Sequence, residues 1–320
     1  HDFDQAVRLF RAAREAGADA VKLQTYTPNT LTLRSEDKAF RIQGGLWDGR
    51  TLYDLYREAF TPWDWVPRLQ EVAAGLGIGL FSTAYDPYSV DFLERLGVPV
   101  HKIASFELVD IPLIKKMAGT GKPLIISTGM ATLDEIQDAV EAARAAGAGG
   151  IALLKCTSAY PAPPEEMHLR TIPHLAGTYG LPVGLSDHTL GIAVPAAAVA
   201  LGACIIEKHL TLSRAEPGPD GPFSLEPAEF KAMVDAVRTV EQSLGEVRYG
   251  ATGHESQSRT HRRSLYIVRP VKAGEPLTRD NVRSVRPANG LPPKFLDQVV
   301  GRTAAVDIDG GTPLEWRHVS

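Results

Sequence analysis

The sequence predicts an α/β protein: a (β/α)8 TIM barrel followed by a small β-rich domain. Three observations predict it. Seven short, continuous apolar runs recur between residues 20 and 206, and amphipathic helical patterns separate them. Such runs suit parallel strands buried on both faces. No Gly-x-Gly-x-x-Gly follows any of them, which weighs against an open doubly wound sheet that binds dinucleotides.

The elements follow in order. Residues 4–16 read as an amphipathic helix with Ala6, Val7, Phe10 and Ala13 on one face. A chain that opens on this helix is expected to have its first barrel strand upstream of residue 1. The apolar runs lie at 20–23, 78–81, 98–103, 123–126, 151–154, 182–185 and 203–206. Helix starts are marked by Thr61 with Pro62, by Asp86 with Pro87, and by a capping box of Thr132 and Glu135. Gly97 and Gly147 close two of these helices. The helical pattern ends near Leu244, so residues 1–244 form the barrel. Residues 245–258 are polar and Gly-rich, as a linker is. Beyond them, runs at 264–268, 298–299 and 304–308 read as strands, with turns at Ala273-Gly274, Asn289-Gly290 and Gly310-Gly311. Residues 259–320 thus form a second domain close to the smallest size that folds alone.

Composition narrows the function. The chain has 320 residues, 44% of them apolar and 22% charged, which is ordinary for a globular protein and too apolar for disorder. No run of about 18 apolar residues offers a membrane helix. Two cysteines, Cys156 and Cys204, exclude a disulfide scaffold and fit a reducing cytosol. The net charge of −4 argues against a nucleic-acid binder. That charge is uneven: residues 258–320 hold 11 Lys and Arg against 6 Asp and Glu, while the rest of the chain is acidic. A basic domain of this kind is either a solvated face or a cap over an anionic ligand.

Barrel active sites sit where strands end, so the polar residues there are the ones to read. Lys22 and Lys102 stand on different strands, and Thr83, Ser105, Ser127 and Ser186 lie at neighbouring strand ends. Two cations with four small hydroxyls suit a phosphate or carboxylate. Lys22 taken alone would instead be a structural lysine paired with a carboxylate. His188 and His209 end successive strands beside Asp187 and Glu207. They suit either a divalent metal with open positions, or a general acid beside a hydrogen-bonded core histidine. Cys156 has no nucleophile signature around it and reads as a small buried hydrophobe. The prolines and glycine of 214–220 would stiffen that loop and hold Asp220 over the site; an ordinary surface turn is the alternative.

These strand ends, in this order, resemble the sialic acid synthase family. The resemblance is carried by Lys102-Ile103-Ala104-Ser105, Ser127-Thr128-Gly129-Met130, Cys156-Thr157-Ser158-Ala159-Tyr160-Pro161, Ser186-Asp187-His188-Thr189 and Glu207-Lys208-His209. It extends into residues 259–320, where Val271-Lys272-Ala273-Gly274-Glu275 and Arg286-Pro287-Ala288-Asn289-Gly290 resemble that family's antifreeze-like (SAF) module. Within the family, Gly45-Leu46-Trp47-Asp48-Gly49-Arg50 and the loop 212–220 resemble the branch that forms pseudaminic acid.

The resemblance implies an enzyme that condenses phosphoenolpyruvate with an acetamido sugar. It implies that Lys22, Thr83, Lys102, Ser105, Ser127 and Ser186 hold phosphoenolpyruvate. His188 and His209 would bind a divalent metal, Mn2+ by family, with Mg2+ or Co2+ as substitutes. Tyr160, Glu207 and Asp220 would line the pocket, and Ser158 stands where relatives often carry Asn. Arg286 would reach the sugar of a partner subunit in a domain-swapped homodimer. A further catalytic glutamate is implied on the strand upstream of residue 1. Neuraminate or legionaminate synthesis, a metal-dependent pyruvate aldolase, and a non-catalytic glycan-binding protein are the competing readings.

Overall fold

Strand β1 (Ala20–Thr25) pairs in parallel with β2 (Gly79–Ala84), and the order continues through β3 (His101–Ile103), β4 (Pro123–Ser127), β5 (Gly150–Cys156), β6 (Val183–Asp187) and β7 (Ile206–Lys208). The computed structural model describes residues 2–216 and 218–320, and these divide into two units, His1–Gly245 and Glu246–Ser320. In the first unit the seven strands form one curled sheet of TIM-barrel type, with each connection running through helix. The strand expected upstream of residue 1 falls outside the described residues.

The apolar runs become strands because both of their faces are covered. Ile103, Ile126, Leu153 and Leu185 are fully buried and pack with Leu93, Ile114, Met117 and Val140 from the surrounding helices. Helix starts follow local chemistry. Asp86 accepts from the backbone N–H groups of Tyr88 and Ser89. Thr132 and Glu135 cap each other reciprocally. Asp2 caps the helix Phe3–Glu15, which buries Phe10 and Ala13 as its apolar stripe requires.

Four expectations need correction. Thr61 and Pro62 do not open a helix: the Pro62 carbonyl accepts from the Trp65 N–H in a turn that precedes it, and the helix runs Trp65–Leu76. The run at 203–206 becomes strand only at Ile206, because Cys204 donates its N–H to Val183 one rung before the ladder begins. Gln298 and Val299 lie in a short helix, Leu296–Val299, where Val299 is a buried knob. The run at 304–308 forms no continuous strand; Ala304 and Ile308 make isolated bridges to Val319 and Val271.

The second unit is built on an antiparallel pair, β8 (Ser264–Ile267) and β9 (Val282–Val285). The sequence reading missed β9, where Arg283 and Ser284 interrupt any apolar run. Its core is Leu265, Ile267, Val271, Leu277, Val282, Val299, Ala304, Ile308 and Leu314. Gly290 is required there, since a Cβ would stand 2.3 Å from the Leu265 carbonyl oxygen.

Candidate active site

A cavity of about 840 Å3 opens at the C-terminal ends of the barrel strands. Parallel strands expose their last side chains there, and each of the seven strands, or the turn just after it, contributes to the lining. Lys22, Lys102, Ser105, Ser127, Tyr160, Ser186, His188, Glu207, His209 and Asp220 all reach it.

Its floor is a charged network. Lys22 Nζ lies 2.9 Å from Glu207 Oε1, and Lys102 Nζ lies 4.0 Å from Glu207 Oε2. Ser186 donates to the same carboxylate at 3.0 Å, and Lys102 donates to Ser127 Oγ at 2.6 Å. Burial would raise the Glu207 carboxyl, but Lys102, Lys22 and the hydrogen bonds outweigh it and hold the group well below its ordinary range. Lys102 is 1% exposed, and burial pushes its ammonium down to about 8 despite Glu207. The pairing expected of a purely structural Lys22 is therefore present. It does not exhaust the charge, because two cations share one carboxylate and leave an excess positive charge facing the cavity.

One wall is aromatic. The ring centroids of His188 and His209 are 5.4 Å apart. Tyr160 lies 4.4 Å from His188, and Phe223 lies 5.0 Å from both Tyr160 and His209. His188 Nδ1 is 2.9 Å from the Thr157 carbonyl, to which it donates, leaving Nε2 as the lone-pair nitrogen. His209 Nδ1 stands 3.5 Å from Asp220 Oδ2, which again leaves Nε2 unengaged by that contact. Among the described residues, no group of three or more His, Cys, Asp or Glu side chains is gathered as a metal cage. Two imidazoles, each with one nitrogen beside an oxygen neighbour, fit a divalent ion that takes its remaining ligands from water or substrate.

Some expected residues stand elsewhere. Thr83 is fully buried on β2 and does not line the cavity, and its Oγ1 has no hydrogen-bond partner. Its register partners Gln24 and Lys102 both reach the cavity, so Thr83 shares their face of the sheet, while Ser82, which pairs with Thr25 at 2.7 Å, takes the other. Ser158 sits behind the wall: a Cβ on Gly129 would come within 2.3 Å of its Oγ and 2.8 Å of Ser105 Oγ. Gly129 thus lets the two serines close on its backbone, and its N–H donates to Ser105 at 3.1 Å. Arg286 is an exposed residue of the second unit. Of the loop 214–220, Pro217 lies outside the described residues, while Asp220 does reach the cavity. Asp187 faces away from it and pairs with Lys208. Cys156 lines the cavity as well as being buried; against its burial, His188 draws the thiol down to about 7.

Glu107 was missed by the sequence reading. It lines the cavity from the turn after β3, its Oε2 is buried without a partner, and burial pushes its carboxyl up to about 7. The available signal was its position two residues beyond Ser105. Trp47 and Phe223, also missed, close the aromatic side, with the Trp47 ring 6.0 Å from Tyr160.

Comparison with known proteins follows from this geometry. A model described as the NeuB family matches residues 9–249, and a SAF-domain model matches residues 262–320. The chain is 43% identical over 312 residues to a pseudaminic acid synthase of Campylobacter jejuni, covering 98% of this chain and 91% of the relative. It is 42% identical to a pseudaminic acid synthase of Helicobacter pylori, covering 98% and 92%. A crystal structure of N-acetylneuraminic acid synthetase from Leptospira borgpetersenii, in complex with citrate, superposes with a TM-score of 0.71 at 31% identity, over 80% of this chain and 85% of that one.

Proposed function

We propose, on the premise that this chain belongs to the NeuB family and carries a SAF domain, that it is a pseudaminic acid synthase. It would join phosphoenolpyruvate, an open-chain diacetamido trideoxy-L-altrose and water into a nine-carbon sugar acid and phosphate. One observation carries the reading: Lys22 and Lys102 converge on the single carboxylate of Glu207 at the mouth of the barrel. That arrangement receives an anion, and the histidine pair stands across the same cavity.

The bonds change as follows. The methylene carbon of phosphoenolpyruvate attacks the sugar aldehyde, a C–C bond forms, and the carbonyl electron pair moves to oxygen, which takes up a proton. Water adds at the former enol carbon and loses a proton, and the C–O bond to phosphate breaks. Lys22 and Lys102, with Ser127, Ser105 and Ser186, hold the anionic reactant and offset its charge throughout. Glu107, with its Oε2 buried without a partner and its carboxyl pushed up to about 7, is placed to hold or take a proton. Holding both reactants in one cavity replaces a bimolecular encounter, worth up to roughly 7–11 kcal/mol. His188 and His209 would hold the divalent metal, with Mn2+ the expected ion; when bound it supplies Lewis-acid polarisation at the aldehyde oxygen.

The reading also places the second domain of one copy over the barrel of another, with Arg286 donating to the acetamido group of the sugar. Exposed apolar side chains at two neighbouring strand ends support a covered rim: Phe106 and Val109 after β3, and Met130 and Leu133 after β4. Phosphate release from phosphoenolpyruvate, measured with diacetamido trideoxy-L-altrose and with N-acetylmannosamine, tests the reading. A clear preference for the diacetamido sugar is expected. Equal or reversed rates would move the chain to another branch of the family.

A further inference from the structure

Asp187 and Lys208 are the last paired residues of β6 and β7, and each immediately precedes one of the two cavity histidines, His188 and His209. Their side chains lie on the face of the sheet turned away from the cavity. Both are 0% exposed, and Lys208 Nζ meets Asp187 Oδ2 at 2.6 Å. The same pair fastens the turn that follows β6. Thr189 donates its N–H to Asp187 Oδ1 at 3.0 Å and its hydroxyl to Oδ2 at 3.2 Å, and Lys208 also donates to the Thr189 carbonyl. His188 is thereby enclosed between two residues tied to one ion pair.

A buried ion pair is a weak source of stability. Replacing it with apolar residues of similar size is often neutral, because the cost of desolvating two charges offsets their attraction. What it does supply is direction, since each donor and acceptor fits in one orientation. We infer that Asp187 and Lys208 are positioning residues. They fix the ends of β6 and β7 relative to each other, and so set the separation of His188 and His209 that lets both imidazoles serve one metal ion. This rests on the metal-binding reading of the two histidines. A pair that served only the fold would affect stability and leave metal affinity alone.

The test is Mn2+ binding by calorimetry on the full chain, set beside thermal unfolding. The double variant Asp187→Leu/Lys208→Met removes both charges together, so neither is left buried alone. It is expected to unfold near the parent temperature and to bind Mn2+ about 10–100-fold more weakly, the range typical for outer-sphere partners of metal ligands. Should that variant not fold, Asp187→Asn keeps the size and the acceptor for Thr189 while removing the charge, and the same weakening is expected. Parent-like Mn2+ affinity in a folded variant overturns the positioning role and leaves the metal site standing. A parent chain that takes up no Mn2+ overturns both.

Discussion

Lys22 on the first strand of the sheet and Glu207 on the last meet at 2.9 Å, although no ladder joins those two strands among the described residues. The sheet curls until its edges face each other, and the ion pair spans the gap. Lys102, from the middle of the order, points to the same carboxylate. Structure and charge are thus joined at one residue, because Glu207 holds the sheet's edges near each other and neutralises half of the anion site.

Glu207→Gln separates those roles. Removing one partner of a buried pair costs about 3–5 kcal/mol, so the melting temperature should fall. The lysines then lack a counter-charge, and inorganic phosphate should raise the variant's melting temperature more than it raises the parent's. An equal phosphate shift in both proteins would show that the lysines do not form an anion site.

Lys102 makes phosphoenolpyruvate binding sensitive to alkali. Burial lowers its folded-state value to about 8, below that of the unfolded chain. The folded protein therefore binds fewer protons between the two values, and this residue's contribution to stability improves as pH rises through that window. Anion affinity runs the opposite way: the dissociation constant for phosphoenolpyruvate should rise about tenfold per pH unit above pH 8. Calorimetric titrations across that range check it, and a flat profile would remove Lys102 from the site.

Glu107 has the reverse linkage. Its folded-state carboxyl titrates at about 7, above its ordinary value, so the folded protein binds the extra proton. Stability from this residue is present at acid pH and is lost as pH rises toward neutrality. Glu107→Gln should therefore melt higher than the parent at pH 8 and at the same temperature at pH 4. If the carboxylate handles a proton in turnover, kcat should fall by roughly 10^2-fold or more. Its acid limb near pH 7 should vanish as well. Unchanged kcat with the stability pattern intact would leave Glu107 a buried group without a catalytic part.

The second-copy arrangement is tested by mixing an Arg286→Ala chain with a His209→Ala chain, each expected to be inactive alone. If residues 259–320 cap a partner's barrel, one barrel of each mixed dimer regains both residues, and partial activity should return. No recovery after demonstrated subunit exchange would reject capping between subunits.

The strands were legible because parallel strands leave a local mark. Leu124, Ile125 and Ile126, or Val183 and Leu185, are apolar runs bounded by Gly and Pro, and burial on both faces allows little else. The strand-end lysines, serines and histidines were legible for the same reason, since locating a strand end locates its last side chains. What stayed hidden depends on distant partners. Nothing local distinguishes Glu207 as the neighbour of Lys22, because 185 residues separate them. Thr83 looks like any rim hydroxyl until its neighbours bury it, and Glu107 looks like a solvated carboxylate until burial desolvates it. Gln298 and Val299 have strand-like letters in a helix that the packing of Val299 dictates.

One measurement reaches the central claim most directly. Phosphoenolpyruvate carrying heavy oxygen in its bridging C–O position is incubated with the full chain, Mn2+ and the diacetamido trideoxy sugar, and the products are weighed by mass spectrometry. The account predicts that the label leaves in inorganic phosphate, in step with an unlabelled nine-carbon acid. Label retained in the organic product, or a condensation that proceeds from pyruvate with no phosphate released, would contradict it.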